Sequence, residues 1–147
     1  EAICADDLKN RSGIIYIKLH GSFGWTRGNG PAGLVIGTDK TTLINDDALL
    51  RWNFQFFKEV IAQGRKKLLV IGYGFKDEHI NKVLLDGVEK RGLQIYIISP
   101  SSKGQLEAEI TSGNFYALPI FKGLSGYYQH TLAEIFPVSQ DETRRSP

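Results

Sequence analysis

The arrangement of apolar and polar positions along this chain predicts a strand–helix–strand unit over residues 66–100. Residues 68–71 and 95–98 are short, nearly unbroken apolar runs, which is typical of parallel strands buried on both faces. The residues between them repeat apolar side chains at helical spacing, and Gly92 follows as a stop signal. Such a crossover lays the turn after its first strand at the carboxyl edge of a parallel sheet, where open α/β folds bind ligands.

The residues before this unit predict one strand, a glycine-rich loop and one helix. Residues 14–19 are an apolar run that ends at His20 and indicates a strand, and residues 23–40 are typical of a loop or a short hairpin. Polar residues at 45–47 supply caps for a helix that runs to Gln63. We expect this helix to be well buried through apolar residues near one face, namely Leu49, Trp52, Phe56 and Val60, widened by Phe57 and Ile61.

The residues after the unit predict a helix, a strand and a second helix. Ser101 or Ser102 is expected to cap a short helix through Ile110. Residues 115–121 are expected to form an edge or terminal strand, and residues 124–136 an amphipathic helix. Strands and helices therefore alternate from residue 67 onward, which predicts an α/β fold with a parallel sheet and helices on both faces.

Composition and charge narrow the class of protein. The 147 residues suit one domain, which we place at residues 1–138, followed by a disordered tail at 139–147. The net charge of +2 is too small to indicate nucleic-acid binding, and no apolar stretch is long enough to cross a bilayer. The single cysteine, Cys4, excludes an internal disulfide and a four-cysteine zinc module, and three scattered histidines argue against a metal site. With no visible signal peptide, the expected location is the cytoplasm.

The turn between the predicted strand and helix, residues 72–75 (G-Y-G-F), is the first candidate site. Its glycines permit positive φ and close approach of the backbone to a ligand, and the helix that follows offers free N–H groups. Asp77 and Glu78 at the helix start would repel an anion, and capping is their alternative role. The turn has neither a G-x-G-x-x-G nor a Walker A pattern, so by itself it is a weak signal for nucleotide binding.

Polar residues near the predicted strand ends are further candidates. His20 would project from the carboxyl edge of a sheet beside Gly21, or it would only bond a nearby carbonyl. Ser99 would hydrogen-bond a ribose, or it would help its neighbours to cap the next helix. His79 is expected to lie at the surface or behind the site rather than in the cleft, and His130, in the last predicted helix, to be structural.

Two segments taken together resemble the bacterial sirtuin-like (silent information regulator type) family. They are YIKLHGS at residues 16–22 and LVIGYGFKDEHIN at residues 69–81. In family members a K-L-H-G-S segment and a V-I-G-Y-S-F-x-D-x-H-I-N segment occur in this order. The resemblance extends from about residue 14 to residue 136. It implies a Rossmann-like fold around an NAD site, with NAD as the substrate.

The resemblance implies a role for each matching residue. His20 corresponds to the catalytic base, which would deprotonate a hydroxyl of the nicotinamide ribose or otherwise promote loss of nicotinamide. An imidazole suits this role because its unperturbed pKa of about 6.5 lets it accept a proton near neutrality. The other matches are implied cofactor-binding positions: Gly21, Gly72, Tyr73, Gly74, Phe75 and Ser99.

The chain also departs from the family. Deacetylating sirtuins carry a four-cysteine zinc module after the histidine, whereas residues 23–41 contain no cysteine, so we expect neither zinc nor another metal. Zinc-free bacterial relatives act mainly as NAD-hydrolysing defence effectors against phage, and the function we expect is hydrolysis of NAD to nicotinamide and ADP-ribose. The open alternatives are an NAD-dependent protein deacylase and a non-catalytic nucleotide-sensing or interaction domain.

The family's first strand, its glycine-rich phosphate loop and a T-T-N-Y-D segment are expected before residue 1. Because the chain opens at Glu1 and has no methionine, we expect it to be the carboxyl-terminal part of the domain within a longer protein. Such a piece would hold part of the cofactor site, so it is expected to bind NAD poorly and to be inactive alone. Its expected partners are NAD or an ADP-ribose-type nucleotide, the rest of the parent chain and a second copy of itself, but not nucleic acid or a membrane.

Overall fold

The computed structural model describes residues 14–22, 25, 34–35, 37, 40–113 and 117–137. The chain divides into two compact units, Glu1–Ala62 and Gln63–Pro147. The predicted tail at 139–147 lies outside the described residues, and the predicted domain over 1–138 stays a prediction. Among the described residues, no helix combines the length and the apolar character that crossing a bilayer requires.

The described part of the first unit contains two consecutive helices, α1 (Lys40–Asp46) and α2 (Ala48–Ala62). The carboxylate of Asp47 accepts hydrogen bonds from the backbone N–H groups of residues 49 and 50, both at 3.0 Å, so this residue caps α2 as the sequence predicts. The sequence pattern does not predict α1, because its threonines lower helix propensity. Its Ile44 is buried in a cluster with Val35 and Leu50, and this tertiary contact stabilises the extra helix.

The predicted buried face of α2 is confirmed at Ile61, which is buried, but is wrong in its first turns. Leu50 and Asn53 are buried in the structure, whereas Leu49 is 51% exposed. Leu50 and Asn53 each lie one position after a predicted residue, Leu49 and Trp52, so the buried side of the helix is rotated relative to the prediction. The sequence could not decide between the two faces, because apolar residues occur on nearly every side of this helix. Contacts with the rest of the unit decide which side faces inward.

The predicted strand at residues 14–19 is also wrong. Ile14 is fully exposed and Tyr16 is 78% exposed, and no strand is assigned to this segment. A strand requires a neighbour that completes its ladder of backbone hydrogen bonds. Near this segment, the pairing that the described residues show is one isolated antiparallel bridge between Gly21 and Leu34.

The described residues of the second unit form a three-stranded parallel sheet with helices around it, in the strand order β1-β2-β3. This arrangement is α/β and Rossmann-like, as the alternation of predicted strands and helices indicates. The pairing places residues 69, 96 and 126 side by side across the three strands. The elements in chain order are β1 (Lys67–Ile71), α3 (Glu78–Arg91), β2 (Gln94–Ser99), α4 (Lys103–Gly113), a 3-10 helix (Leu118–Gly123), β3 (Leu124–Gln129) and α5 (Leu132–Ile135).

Local signals set the ends of the middle helices. Asp77 occupies the N-cap position of α3, and Gly92 ends this helix in the left-handed conformation with φ +68°. Before α4, the Ser102 hydroxyl accepts from the Gln105 N–H while the Gln105 side chain accepts from the Ser102 N–H, which is a capping box. The predicted ends of both helices are confirmed to within a few residues.

The carboxyl-terminal elements differ from the prediction. Residues 118–123 form a 3-10 helix instead of a strand, while residues 115–116 lie outside the described part. The predicted helix at 124–136 is wrong, since the segment contains β3, followed only by the four-residue α5. Its apolar spacing also suits a helix, but Gly126 allows the backbone to lie against β2. A Cβ atom at Gly126 would come within 2.8 Å of the Tyr96 ring.

Candidate functional site

The turn from β1 to α3 lies at the carboxyl edge of the sheet, next to the end of β2. Ile71 pairs with Ile98, so Gly72 and Ser99 leave two neighbouring parallel strands side by side. Gly72 has φ +65°, and a Cβ atom built there would meet nothing within 4 Å. The turn therefore presents accessible backbone at the edge where the sequence predicts a ligand.

Phe75 ends the turn in an uncommon conformation. Its φ of +54° lies in the left-handed region, which is costly for a residue with a side chain. The Phe75 ring is only 1% exposed and packs 4.9 Å from the Tyr73 ring and 5.6 Å from Phe121. Burial of this ring offsets the backbone cost. A ligand in the turn would meet the backbone of this residue rather than its aromatic face.

Asn81, in the first turns of α3, connects the helix to the turn. Its side chain is fully buried, its Nδ2 atom donates to the Phe75 carbonyl at 2.8 Å, and its Oδ1 atom accepts from the Tyr73 hydroxyl at 2.9 Å. The same hydroxyl lies 3.3 Å from the Asp77 carbonyl. Burial, and secondly the Asp77 carboxylate, raise the pKa of Tyr73, so its hydroxyl remains a neutral donor.

The acidic residues at the start of α3 lie where the sequence places them. Asp77 is at the N-cap position, but its side chain makes no capping hydrogen bond. Glu78 forms an exposed ion pair with Lys82 at 2.6 Å. His79 is half-buried. Two carboxylates at a helix N-terminus disfavour a phosphate there, so the turn suits ribose hydroxyls or a neutral ring better than a diphosphate.

Ser99, at the end of β2, has a defined structural role and a proton to donate. Its hydroxyl oxygen accepts from the Ser101 N–H at 3.2 Å. The capping role expected among these serines belongs to Ser102, whose hydroxyl caps α4, and binding of a ribose by Ser99 stays a prediction. The Tyr127 hydroxyl donates to the Ser101 carbonyl at 2.6 Å and holds the same loop. The Ser99 O–H can therefore be offered to a ligand beside the glycine turn.

The predicted position of His130 is wrong. This residue follows β3, and its backbone N–H donates to the Ser99 carbonyl at 3.0 Å, so it lies at the same sheet edge as Ser99. Its side chain is 56% exposed, 3.7 Å from the Glu134 carboxylate. Hydrogen bonds from the Thr131 backbone and hydroxyl lower the pKa of Glu134. The signal in the sequence was the Tyr-Tyr pair after Gly126, which favours a strand.

A cavity of about 410 Å³ lies beside the turn, between it and the last turns of α4. Its wall contains backbone of the turn, the charged residues Lys76 and Glu109, and the buried Ile110. It is lined by Gly74, Phe75, Lys76, Glu109, Ile110, Ser112 and Gly113. The second unit thus has a concave space next to the exposed glycine backbone of the turn.

His20 and Gly21 belong to the first unit. His20 is half-buried, its carbonyl accepts from the Val35 N–H at 2.8 Å, and Gly21 has φ +78°. The buried Asn53 donates to the Lys18 carbonyl at 3.1 Å, and Lys18 Nζ donates to the Ser22 hydroxyl at 2.6 Å. Hydrogen bonds therefore fix the backbone on both sides of the imidazole. The sequence pattern does not reveal the contribution of Asn53.

Comparison with known families gives one match. A family model described as a SIR2-like domain matches residues 4–118, which is most of the chain and includes both the His20 segment and the glycine turn. No curated protein matches the chain significantly. No solved structure does so either.

Proposed function

Because the chain belongs to the SIR2-like domain family, whose members in general use NAD, we propose that it is part of an enzyme that hydrolyses NAD to nicotinamide and ADP-ribose. The observation that carries the proposal is the extent of the family match. It covers the histidine segment and the glycine turn in one span, and the turn lies at the ligand-binding edge of a parallel sheet.

The reaction breaks the bond between C1′ of the nicotinamide ribose and the ring nitrogen. The bonding electron pair leaves with nicotinamide, the oxygen of water bonds to C1′, and one proton is released. NAD supplies the leaving group, since nicotinamide departs as a neutral molecule. His20 acts as the base that accepts a proton from a ribose hydroxyl or from the attacking water, for which a neutral imidazole is required.

The other proposed residues bind rather than react. Gly21 and Gly72, both with positive φ, allow the substrate to approach the backbone closely. Tyr73, Gly74 and Phe75 shape the turn beside the nicotinamide ribose, with Tyr73 and Phe75 held by the buried Asn81. The Ser99 hydroxyl donates to a hydroxyl of the adenosine ribose.

Hydrolysis is favoured over deacylation by the chain's own composition. A four-cysteine zinc module shapes the peptide channel in deacetylating sirtuins, and residues 23–41 hold no cysteine. The resemblance to zinc-free bacterial relatives extends the proposal to a role in antiphage defence. We also propose that these 147 residues hold only part of the cofactor site, so that they alone bind NAD weakly and do not turn it over.

The test measures nicotinamide and ADP-ribose released from NAD by the natural full-length protein. We expect the wild type to release both products. His20→Asn keeps a polar side chain but lacks the base, and its turnover should fall by at least about 100-fold. Lys58→Ala alters an exposed residue of α2 and should leave turnover unchanged. Turnover that survives in His20→Asn would refute the role of the base.

Other outcomes would refute hydrolysis itself. Nicotinamide release that requires an acylated peptide would indicate a deacylase. Binding of NAD without any product would indicate a sensor. Strong binding and turnover by the 147-residue chain alone would contradict the proposal that it holds only part of the site.

A further inference from the structure

Asn81 contributes to the candidate site without facing the ligand side of the turn. Its amide is completely buried, and both of its ends bond to the turn, one to the Phe75 carbonyl and one to the Tyr73 hydroxyl. The backbone that these bonds hold also lines the cavity at Gly74, Phe75 and Lys76. The hydrogen bonds of the amide thus hold the same short stretch of backbone that lines the cavity.

The bonds constrain the geometry of the turn more than its packing does. Phe75 has an unfavourable φ of +54°, and its buried ring alone does not set the direction of its carbonyl. The Asn81 N–H group sets that direction, because a misdirected carbonyl would lose its partner in a buried environment. Tyr73 occupies the acceptor of the same amide, so its two ends cannot exchange places.

We propose that Asn81 is a positioning residue that holds the glycine turn, through the Phe75 carbonyl and the Tyr73 hydroxyl, in the conformation that receives the nucleotide. The nature of the ligand rests on the proposed function, whereas the effect on the turn does not. Loss of the amide lets the Phe75–Lys76 peptide rotate, so nucleotide binding weakens while the bond-breaking step itself is retained.

The test compares three variants of the natural full-length protein with the wild type. Asn81→Ala removes both bonds, Asn81→Asp keeps the acceptor for Tyr73 but loses the donor to Phe75, and Tyr73→Phe removes only the hydroxyl. Ile95→Val is the control, because Ile95 is buried near the amino end of β2, away from the turn.

We expect the KM for NAD in Asn81→Ala to rise about tenfold, the ratio that corresponds to one net hydrogen bond, with kcat per folded molecule nearly unchanged. Asn81→Asp should resemble Asn81→Ala, and Tyr73→Phe should show a smaller rise. Ile95→Val should lower the melting temperature without changing KM. A purely structural role for Asn81 would lower the folded fraction and leave KM at the wild-type value, and that result would overturn the inference.

A second measurement needs no nucleotide. Amide hydrogen exchange at residues 74–76 should be faster in Asn81→Ala than in the wild type and in Ile95→Val, under conditions where all three are folded. Unchanged exchange at these residues would overturn the inference even if NAD is the substrate. If the wild type neither binds nor hydrolyses NAD, the proposed function fails, and the exchange measurement still decides the role of Asn81.

Discussion

A methyl group at Gly123 has no room in the second unit. This glycine ends the 3-10 helix before β3, and a Cβ atom there would lie 2.5 Å from one Val88 methyl carbon, 3.1 Å from the other and 2.9 Å from the Leu93 carbonyl oxygen. Carbon atoms make favourable contacts at about 3.5 Å or more. Val88 can rotate or shift, but the Leu93 carbonyl is part of the backbone and moves only with the chain.

Gly123→Ala should therefore destabilise the protein by about 3 kcal/mol, the upper end of the usual cost of overpacking. For a chain of this length that corresponds to a fall in Tm of about 6–12 °C. Val88→Ala removes both methyl carbons and should restore about half of the loss when combined with Gly123→Ala, so the two changes are expected to be non-additive.

The matched control is Gly104→Ala. Gly104 lies in α4, where a Cβ atom would meet nothing within 4 Å, and alanine in a helix is favoured over glycine by up to about 1 kcal/mol. The measurement is thermal and urea unfolding followed by circular dichroism. If Gly123→Ala unfolds at the same temperature as the wild type, the close packing of Gly123 against α3 is not a feature of the folded protein.

Two further predictions concern the candidate site and a helix cap. Because the pKa of Tyr73 is raised in the folded state, its contribution to stability is complete below the unfolded pKa of about 10 and is lost at higher pH. The fall in Tm from pH 8 to pH 11 should be smaller in Tyr73→Phe than in the exposed control Tyr128→Phe, and equal falls would contradict this. Ser102→Ala should cost about 1 kcal/mol in urea unfolding through loss of the α4 capping box, whereas an unchanged midpoint would show that the cap contributes nothing.

The strand–helix–strand unit could be predicted because its signals are local. β1, α3 and β2 follow from two apolar runs, a helical repeat and Gly92, and each signal acts within a few residues. The proximity of Gly72 to Ser99 is then also predictable, because parallel strands bring their carboxyl ends to one edge of the sheet. This part of the candidate site is therefore predictable from the order of residues alone.

Other features depended on contacts that spacing does not reveal. Asn81 lies in a helix where its sequence position allows either an exposed or a buried side chain, and only the packing of the turn makes it a buried connector. The apolar spacing around His130 predicts a helix, yet this residue lies after a strand, because β2 offers a partner for residues 124–129.

Local sequence signals were enough to predict α3 and α4 with their ends, because the hydrogen bonds of a helical turn or a capping box join residues that are close in the chain. Outside the strand–helix–strand unit, whether an apolar run forms a strand depended on tertiary contacts. In the described part of the chain, residues 14–19 have no neighbouring strand to form a ladder of backbone hydrogen bonds, whereas residues 124–129 form one with β2. The physical reason is that a strand's backbone groups are satisfied by a different segment, so strand formation depends on the presence and position of that segment.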